Sequence, residues 1–259
     1  MYNYQLIQSL YNNYAAASID KRISPKDVMN NQWYFDVGRS AVEAIASACM
    51  ASKLQNVKKV LDLPCGYGRV LRHLVHLFPD AEYVACDLDI DAVDFCVSHF
   101  NVTPVYSREE LTEVYLGSAY DIIWVGSLFT HTAQDITKKW MAYLAKFLSP
   151  QGFVVATLHG RWSKNVHKVA PFIGEDIWNE ILTDYNSVGY GYRDYLKKDS
   201  HCYISGSYGI SLAKPHVTIR NLEEVPGIRI YQYLERGWSD VHDVVVYGRP
   251  AYDEPWPGM

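Results

Sequence analysis

Lys58-Lys59-Val60-Leu61-Asp62-Leu63-Pro64-Cys65-Gly66-Tyr67-Gly68-Arg69 is the stretch whose reading decides the fold, and Glu82-Tyr83-Val84-Ala85-Cys86-Asp87-Leu88-Asp89 completes it. The apolar run at 58–63 is short and stops at a turn, as a buried strand does. Two glycines one residue apart let the backbone turn sharply where a Cβ would collide. Behind them Val70, Leu71, Leu74, Val75 and Phe78 fall on one face of a helix spanning 69–78, and 82–89 is a second strand that ends in acids. Outward from this unit the alternation continues. A helix covers 91–100, a weak strand 102–106, an almost wholly apolar strand 120–127, a helix 135–148 and a buried strand 152–160. Apolar strands alternating with amphipathic helices predict a parallel sheet covered on both faces. The chain closes with strands 227–238 and 241–250 around a tight turn. The expectation is therefore an α/β fold, a doubly wound, mostly parallel seven-stranded sheet with a closing antiparallel hairpin.

Four segments follow from this reading. Residues 1–55 form a helical N-terminal cap with a firm helix at 35–53, and residues 56–160 the nucleotide-type core. Residues 161–227 break the rhythm, being rich in Gly, Tyr and His, and residues 228–259 hold the hairpin and tail. Lys and Arg number 24 against 29 Asp and Glu, a net charge of −5 with no basic block. That balance speaks against nucleic acid as the main partner. Five cysteines without CxxC or zinc spacing read as free thiols in a reducing compartment. The N-terminus lacks the pattern of a signal peptide, and no window of eighteen apolar residues is present. The expected location is the cytoplasm, without a membrane span.

Asp87 lies nineteen positions after Gly68, the distance at which an acid in such a unit meets the ribose hydroxyls of an adenosine-type ligand. A carboxylate can accept both hydrogen bonds of a vicinal diol. Asp89 and Asp91 read as turn and capping acids. The third glycine of a dinucleotide fingerprint is replaced by Leu71, and no P-loop lysine follows. What remains is an adenosine site with little provision for pyrophosphate.

Taken together, VLDLPCGYGRVLRHL, VACDLDIDAV, YDIIWVGSLFTHT and LSPQGFVVATLHG resemble the class I S-adenosylmethionine-dependent methyltransferases. The resemblance covers 58–160 and, in arrangement, 227–250. Within the family, CGYGRVLRHL, SLFTHT and the closing GW…HDVVV resemble a bacterial subgroup that modifies glycans or other small molecules. The resemblance implies S-adenosylmethionine as cofactor. Asp62 would hold the methionine amino end, Gly66 and Gly68 would give backbone room, and Asp87 would take the ribose. Leu88 would flank the adenine, while Gly126 and Ser127 would line the methionine side with backbone groups. Pro64 stands where the family has glycine and removes one N–H from the loop.

A hydroxyl acceptor needs its proton removed, so histidines at strand ends are the candidates for a general base. His131 follows the fourth strand and His159 the fifth; each also reads as a capping or supporting histidine. His242-Asp243 on the last strand is equally a catalytic pair or a structural one. No metal-ligand spacing is visible, which favours a metal-independent reaction. In 161–227, Tyr190, Tyr192 and Tyr208 sit beside glycines, as in a lid over an acceptor. They would bind the acceptor together with His159, although an irregular loop region has the same composition. Tyr34 could close over the cofactor or anchor packing. The rival readings are a non-catalytic S-adenosylmethionine-binding protein of the same fold and a nicotinamide oxidoreductase, the latter disfavoured by Leu71.

Overall fold

The computed structural model describes residues 4–54, 56–196 and 204–249. Its centre is a seven-stranded sheet made of β1 (Lys59–Asp62), β2 (Glu82–Asp87), β3 (Thr103–Tyr106), β4 (Tyr120–Val125), β5 (Leu148–Leu158), β8 (Arg229–Trp238) and β9 (His242–Gly248), in the order β3-β2-β1-β4-β5-β9-β8. The first five strands run parallel, and β9 is antiparallel to both β5 and β8. β1 pairs on one side with β2 and on the other with β4. The strand order reverses between β1 and β4, and a ligand crevice forms at the carboxyl ends of such a pair.

Period-two alternation sorts the strand residues into two core layers. Val60, Ile122, Trp124, Val244 and Val246 pack with Ala41, Ile45 and Ala48 of α2 (Tyr34–Ser52), and with Leu71 and Leu74 of α3 (Leu71–Leu74). Leu61, Ile123, Val125, Val245 and Tyr247 face the other way, against Met141 and Leu144 of α5 (Gln134–Leu144) and Leu222 of α8 (Pro215–Glu223). Behind β2, α4 (Ile90–Phe100) starts at Asp89, whose carboxylate accepts from the Ala92 N–H. An N-terminal helix, α1 (Tyr4–Ala15), packs on α2.

The helix expected over 69–78 is regular only at Leu71–Leu74. Beyond it the hydroxyl of Tyr83 donates to the carbonyls of Leu74 and Phe78, at 2.6 and 3.2 Å. The side chains Val70, Leu74, Leu77 and Phe78 are nonetheless buried as the spacing requires. Likewise β5 begins at Leu148, four residues before the expected start, with an irregular register against β4 between Tyr120 and Ile122. The β8–β9 turn carries Ser239 and Asp240 at φ of 54° and 57°, the left-handed pair that a two-stranded turn demands.

Between β5 and α8 lie α6 (Ser163–Val169), α7 (Glu175–Val188) and a second, two-stranded sheet of β6 (Tyr190–Asp194) and β7 (Gly209–Ala213). Trp178, Ile181 and Tyr185 of α7 pack on Ile210 and Leu212 of β7 in a small core of their own. This unit is tied to the main sheet by backbone bonds: Ser211 N–H donates to Thr130 O (2.8 Å), Ala213 N–H to His159 O (2.9 Å) and Gly209 N–H to His131 O (3.3 Å). Strand β7 therefore runs across the loops that follow β4 and β5. With proline at its first turn, Pro215–Glu223 forms α8, which packs into the main sheet.

Candidate active site

The crevice between β1 and β4 is built around two carboxylates. Asp62, at the tip of β1, is buried, and neither of its oxygens has a hydrogen-bond partner. Burial, then the neighbouring Asp87 charge, pushes its carboxyl well above the ordinary value, with Arg69 pulling the other way. A buried carboxylate left without donors is costly. Its presence marks a place where a cation or N–H donor is to be supplied.

Asp87, at the tip of β2, is differently placed. Its Oδ2 accepts from Gly66 N–H at 2.7 Å and its Oδ1 from Asp89 N–H at 2.9 Å. Burial pushes this carboxyl up to about 6 against the pull of those N–H groups. Each oxygen keeps a second lone pair, enough for a diol. Leu88 follows at the rim, half-buried.

The two glycines of the loop do different work. Gly66 has φ of 49° and open space where a Cβ would point. Gly68, at φ 74°, is instead a packing glycine, since a Cβ there would sit 2.4 Å from the Phe100 ring. Pro64 follows a cis peptide bond, and its neighbours hold the loop to the sheet: Leu63 N–H donates to Trp124 O and Cys65 N–H to Cys86 O. After β4, Gly126 admits the Trp124 indole, and Ser127 adopts φ 62° with its N–H donated to Thr157 Oγ1 at 2.7 Å. The Ser127 N–H is thus already committed, which alters the expectation that it faces a ligand.

Sequence reasoning missed Arg69 and Arg72. Arg69 follows the glycines directly; its guanidinium lies over the Trp238 ring and within electrostatic reach of Asp62, Asp27, Tyr34 and His242. Arg72 is completely buried and donates to the carbonyls of Gly68, Tyr67, Asp20 and Arg22 and to the Tyr34 hydroxyl. It clasps the irregular segment before α2 onto the glycine loop. Tyr34 is buried and donates to Asp27 at 2.6 Å, so it anchors that segment. Only the position of Arg69 in the motif gave a signal; the Trp238 ring under Arg69 and the Asp20, Arg22 and Tyr34 partners of Arg72 are distant in sequence.

Three histidines meet beyond the ends of β4 and β5. His131 donates its Nδ1–H to Gly209 O at 2.7 Å, and its ring lies 4.6 Å from that of Tyr208. His159 is buried, donates Nδ1–H to Ser211 O at 3.2 Å, and stacks on Phe172 at 4.5 Å. The His242 ring is 4.9 Å from those of His159 and Trp238. Burial, followed by the nearby imidazoles, holds His159 well below the ordinary histidine value and His242 at about 3. Among the described residues no group of three His, Cys, Asp or Glu side chains is arranged to hold a metal ion.

Two expectations are corrected here. His242 and Asp243 do not form a pair, because successive residues of a strand point to opposite faces. Asp243 accepts from Tyr233 Oη at 2.8 Å and from Arg236 N–H at 3.1 Å, packed so closely beneath Gly160 that any Cβ there would strike it. Tyr190 does not face an acceptor. It is buried, with its hydroxyl donated to Thr132 O at 2.9 Å and lying 3.0 Å from Thr137 Oγ1. Tyr192 is half-buried and donates to Asp194, which also accepts from Ser207 Oγ and Tyr208 N–H. Of the three tyrosines, Tyr208 is the one placed against a candidate base.

A doubly wound sheet with a closing antiparallel hairpin, an acid at the tip of each of the first two strands and a glycine turn between them defines a Rossmann-like methyltransferase fold. Residues 61–154 match a family model described as a methyltransferase domain. The fold is shared with an S-adenosylmethionine-dependent methyltransferase from Clostridium acetobutylicum (13% identity, TM-score 0.56, covering 95% of this chain and 98% of that one). It is shared also with Streptomyces venezuelae DesVI (15%, 0.56, 88% and 99%) and with DhpI in a DhpI-SAM-HEP complex (16%, 0.55, 95% and 99%). The chain thus has the fold of S-adenosylmethionine-dependent methyltransferases, with a methyltransferase-domain match over residues 61–154, and the cofactor that such enzymes use is S-adenosylmethionine. The residues present suit that cofactor: the orphaned Asp62 carboxylate wants an ammonium group, and the space over Gly66 admits a ligand against the backbone. No described helix is long and apolar enough to cross a membrane.

Proposed function

We propose that this enzyme methylates a hydroxyl of a small molecule, a sugar or other glycan unit foremost, with His131 as general base. Asp62 holds the methionine ammonium, Asp87 and the Gly66 backbone hold the ribose end, and Arg69 balances the buried charge beside Asp62. When bound, the cofactor supplies an electrophilic methyl group on its sulfonium sulfur. The chain's own task is to orient the acceptor oxygen and take its proton.

The tautomer of His131 is the observation that carries the reading. Because a carbonyl oxygen can only accept, Nδ1 must bear the hydrogen donated to Gly209 O, and Nε2 is left with a lone pair. His159 is held in the same tautomer by Ser211 O. Yet burial depresses His159 and His242 far below neutrality, so they are weak bases. They act here as neutral partners that orient the acceptor, with Tyr208 closing the side next to His131. The reaction needs no metal, and the enzyme works in the cytoplasm.

The test is turnover of His131→Ala on hydroxyl acceptors drawn from a sugar panel. Expected is a fall in kcat of about 10²–10⁴ with cofactor affinity unchanged. Full turnover by the variant would remove His131 as base.

A further inference from the structure

A cavity of about 420 Å³ opens in the unit between β5 and α8, lined by Arg161, Lys164, His167, Lys168, Glu175 and Trp178 among others. Its deepest polar group is His167, which is 3% exposed and lies flat on the Trp178 ring at 3.9 Å. The Phe172 N–H donates to His167 Nδ1 at 3.1 Å. Nδ1 is therefore the acceptor, and in the neutral ring the hydrogen sits on Nε2, the opposite arrangement to His131 and His159. That Nε2–H has no hydrogen-bond partner; the nearest acid, Glu175, is 3.7 Å away and largely exposed. Burial lowers the pKa of the ring against the pull of Glu175, and in either protonation state Nε2 carries a hydrogen that it can donate.

The cavity is also positive. Arg161 is held at its edge by two hydrogen bonds to Glu235, while Lys164 stands over the Tyr185 ring, without a carboxylate partner among the described residues. With Arg161 paired to Glu235, Lys164 and Lys168 face one lining acid, Glu175. An orphaned N–H donor amid cations is complementary to an anion, and several donors from different directions suit a tetrahedral dianion better than a planar carboxylate. The cavity is joined to the active site by a run of touching rings. His242 meets His159 at 4.9 Å, His159 meets Phe172 at 4.5 Å, Phe172 meets His167 at 5.7 Å, and His167 meets Trp178.

We infer that this cavity binds a phosphate group carried by the methyl acceptor, so that the substrate is a phosphorylated small molecule lying along the His159–Phe172–His167 wall. The inference rests on the acceptor site proposed above. The probe is inorganic phosphate, titrated at constant ionic strength into the full-length protein carrying isotope-labelled histidine. The expected result is a saturable shift of the His167 imidazole resonances, with a midpoint that rises at least about tenfold in Lys164→Ala/Lys168→Ala and stays put in the distant Lys146→Ala. Absence of a saturable shift, or the same midpoint in the double variant, overturns the inference. An equal response to acetate overturns the assignment to phosphate. S-adenosylmethionine is titrated into the same sample. Normal cofactor binding without a phosphate response sinks this inference alone, whereas absence of cofactor binding sinks the active-site reading beneath it.

Discussion

Asp62→Asn should make the free protein more stable and the cofactor complex weaker. The side chain is buried, both its oxygens lack donors, and Asp87 adds like charge. Asparagine keeps the shape and removes the charge, leaving an unsatisfied amide, which costs about 1–3 kcal/mol, less than an unsatisfied carboxylate. The gain at neutral pH should be about 1–2 kcal/mol. The sign with pH follows from linkage. The folded value lies above the ordinary 3.8, so Asp62 favours the folded state at low pH and that contribution is lost as pH rises through the folded value. The two proteins should thus differ little near pH 4, with the gap opening above it. Binding moves the other way: losing a charge-assisted contact to an ammonium costs about 1.5–3 kcal/mol, roughly ten- to a hundredfold in Kd. Urea unfolding across pH and calorimetry with S-adenosylhomocysteine read both effects. A variant less stable than wild type at neutral pH would show that the free protein already satisfies Asp62, and the argument from its burial would fail.

Other outcomes follow from the same geometry. Arg72→Met keeps the packing over Tyr34 and Phe100 but strands the carbonyls of Tyr67, Asp20 and Arg22; at about 1–3 kcal/mol for each unsatisfied buried group it should cost about 3 kcal/mol or more by denaturant titration, and a loss below 1 kcal/mol would mean the clasp is dispensable. Tyr190→Ala should cost about 3–5 kcal/mol, as for other large buried rings, whereas unaltered stability with a raised acceptor KM would restore Tyr190 to the substrate site. Tyr208→Ala should raise the acceptor KM while the S-adenosylmethionine Kd stays within about twofold; a change in cofactor affinity instead would move Tyr208 out of the acceptor site.

The main sheet was legible because burial on both faces imposes short apolar runs, and the turn chemistry at Gly66, Gly68 and Asp89 punctuates them. The tips of β1 and β2 were legible for the same reason: a carboxylate ending an apolar run is conspicuous. Long-range hydrogen bonds were not. The Tyr83 hydroxyl that binds the Leu74 and Phe78 carbonyls, the Thr132 carbonyl 58 positions from Tyr190, and the Asp20 and Arg22 carbonyls that hold Arg72 leave no local trace in the chain. His242 and Asp243 were adjacent in sequence and were read as partners, when the strand that holds them necessarily sends them to opposite faces. The tautomers of His131, His159 and His167 depend on carbonyls and amides that only the docked β7 strand and the α6–α7 turn supply.

The central claim is that S-adenosylmethionine binds in the β1–β4 crevice with its ribose on Asp87, and calorimetric titration of Asp87→Ala against wild type tests it most directly. Alanine removes the carboxylate at the β2 tip that can accept both hydroxyls. It also frees the Gly66 and Asp89 amides from their present acceptor. Loss of hydrogen bonds to a charged group should weaken binding by about 1.5–3 kcal/mol, a Kd roughly ten- to a hundredfold higher. A wild-type Kd in Asp87→Ala would contradict the account, and the cofactor would have to be sought outside this crevice.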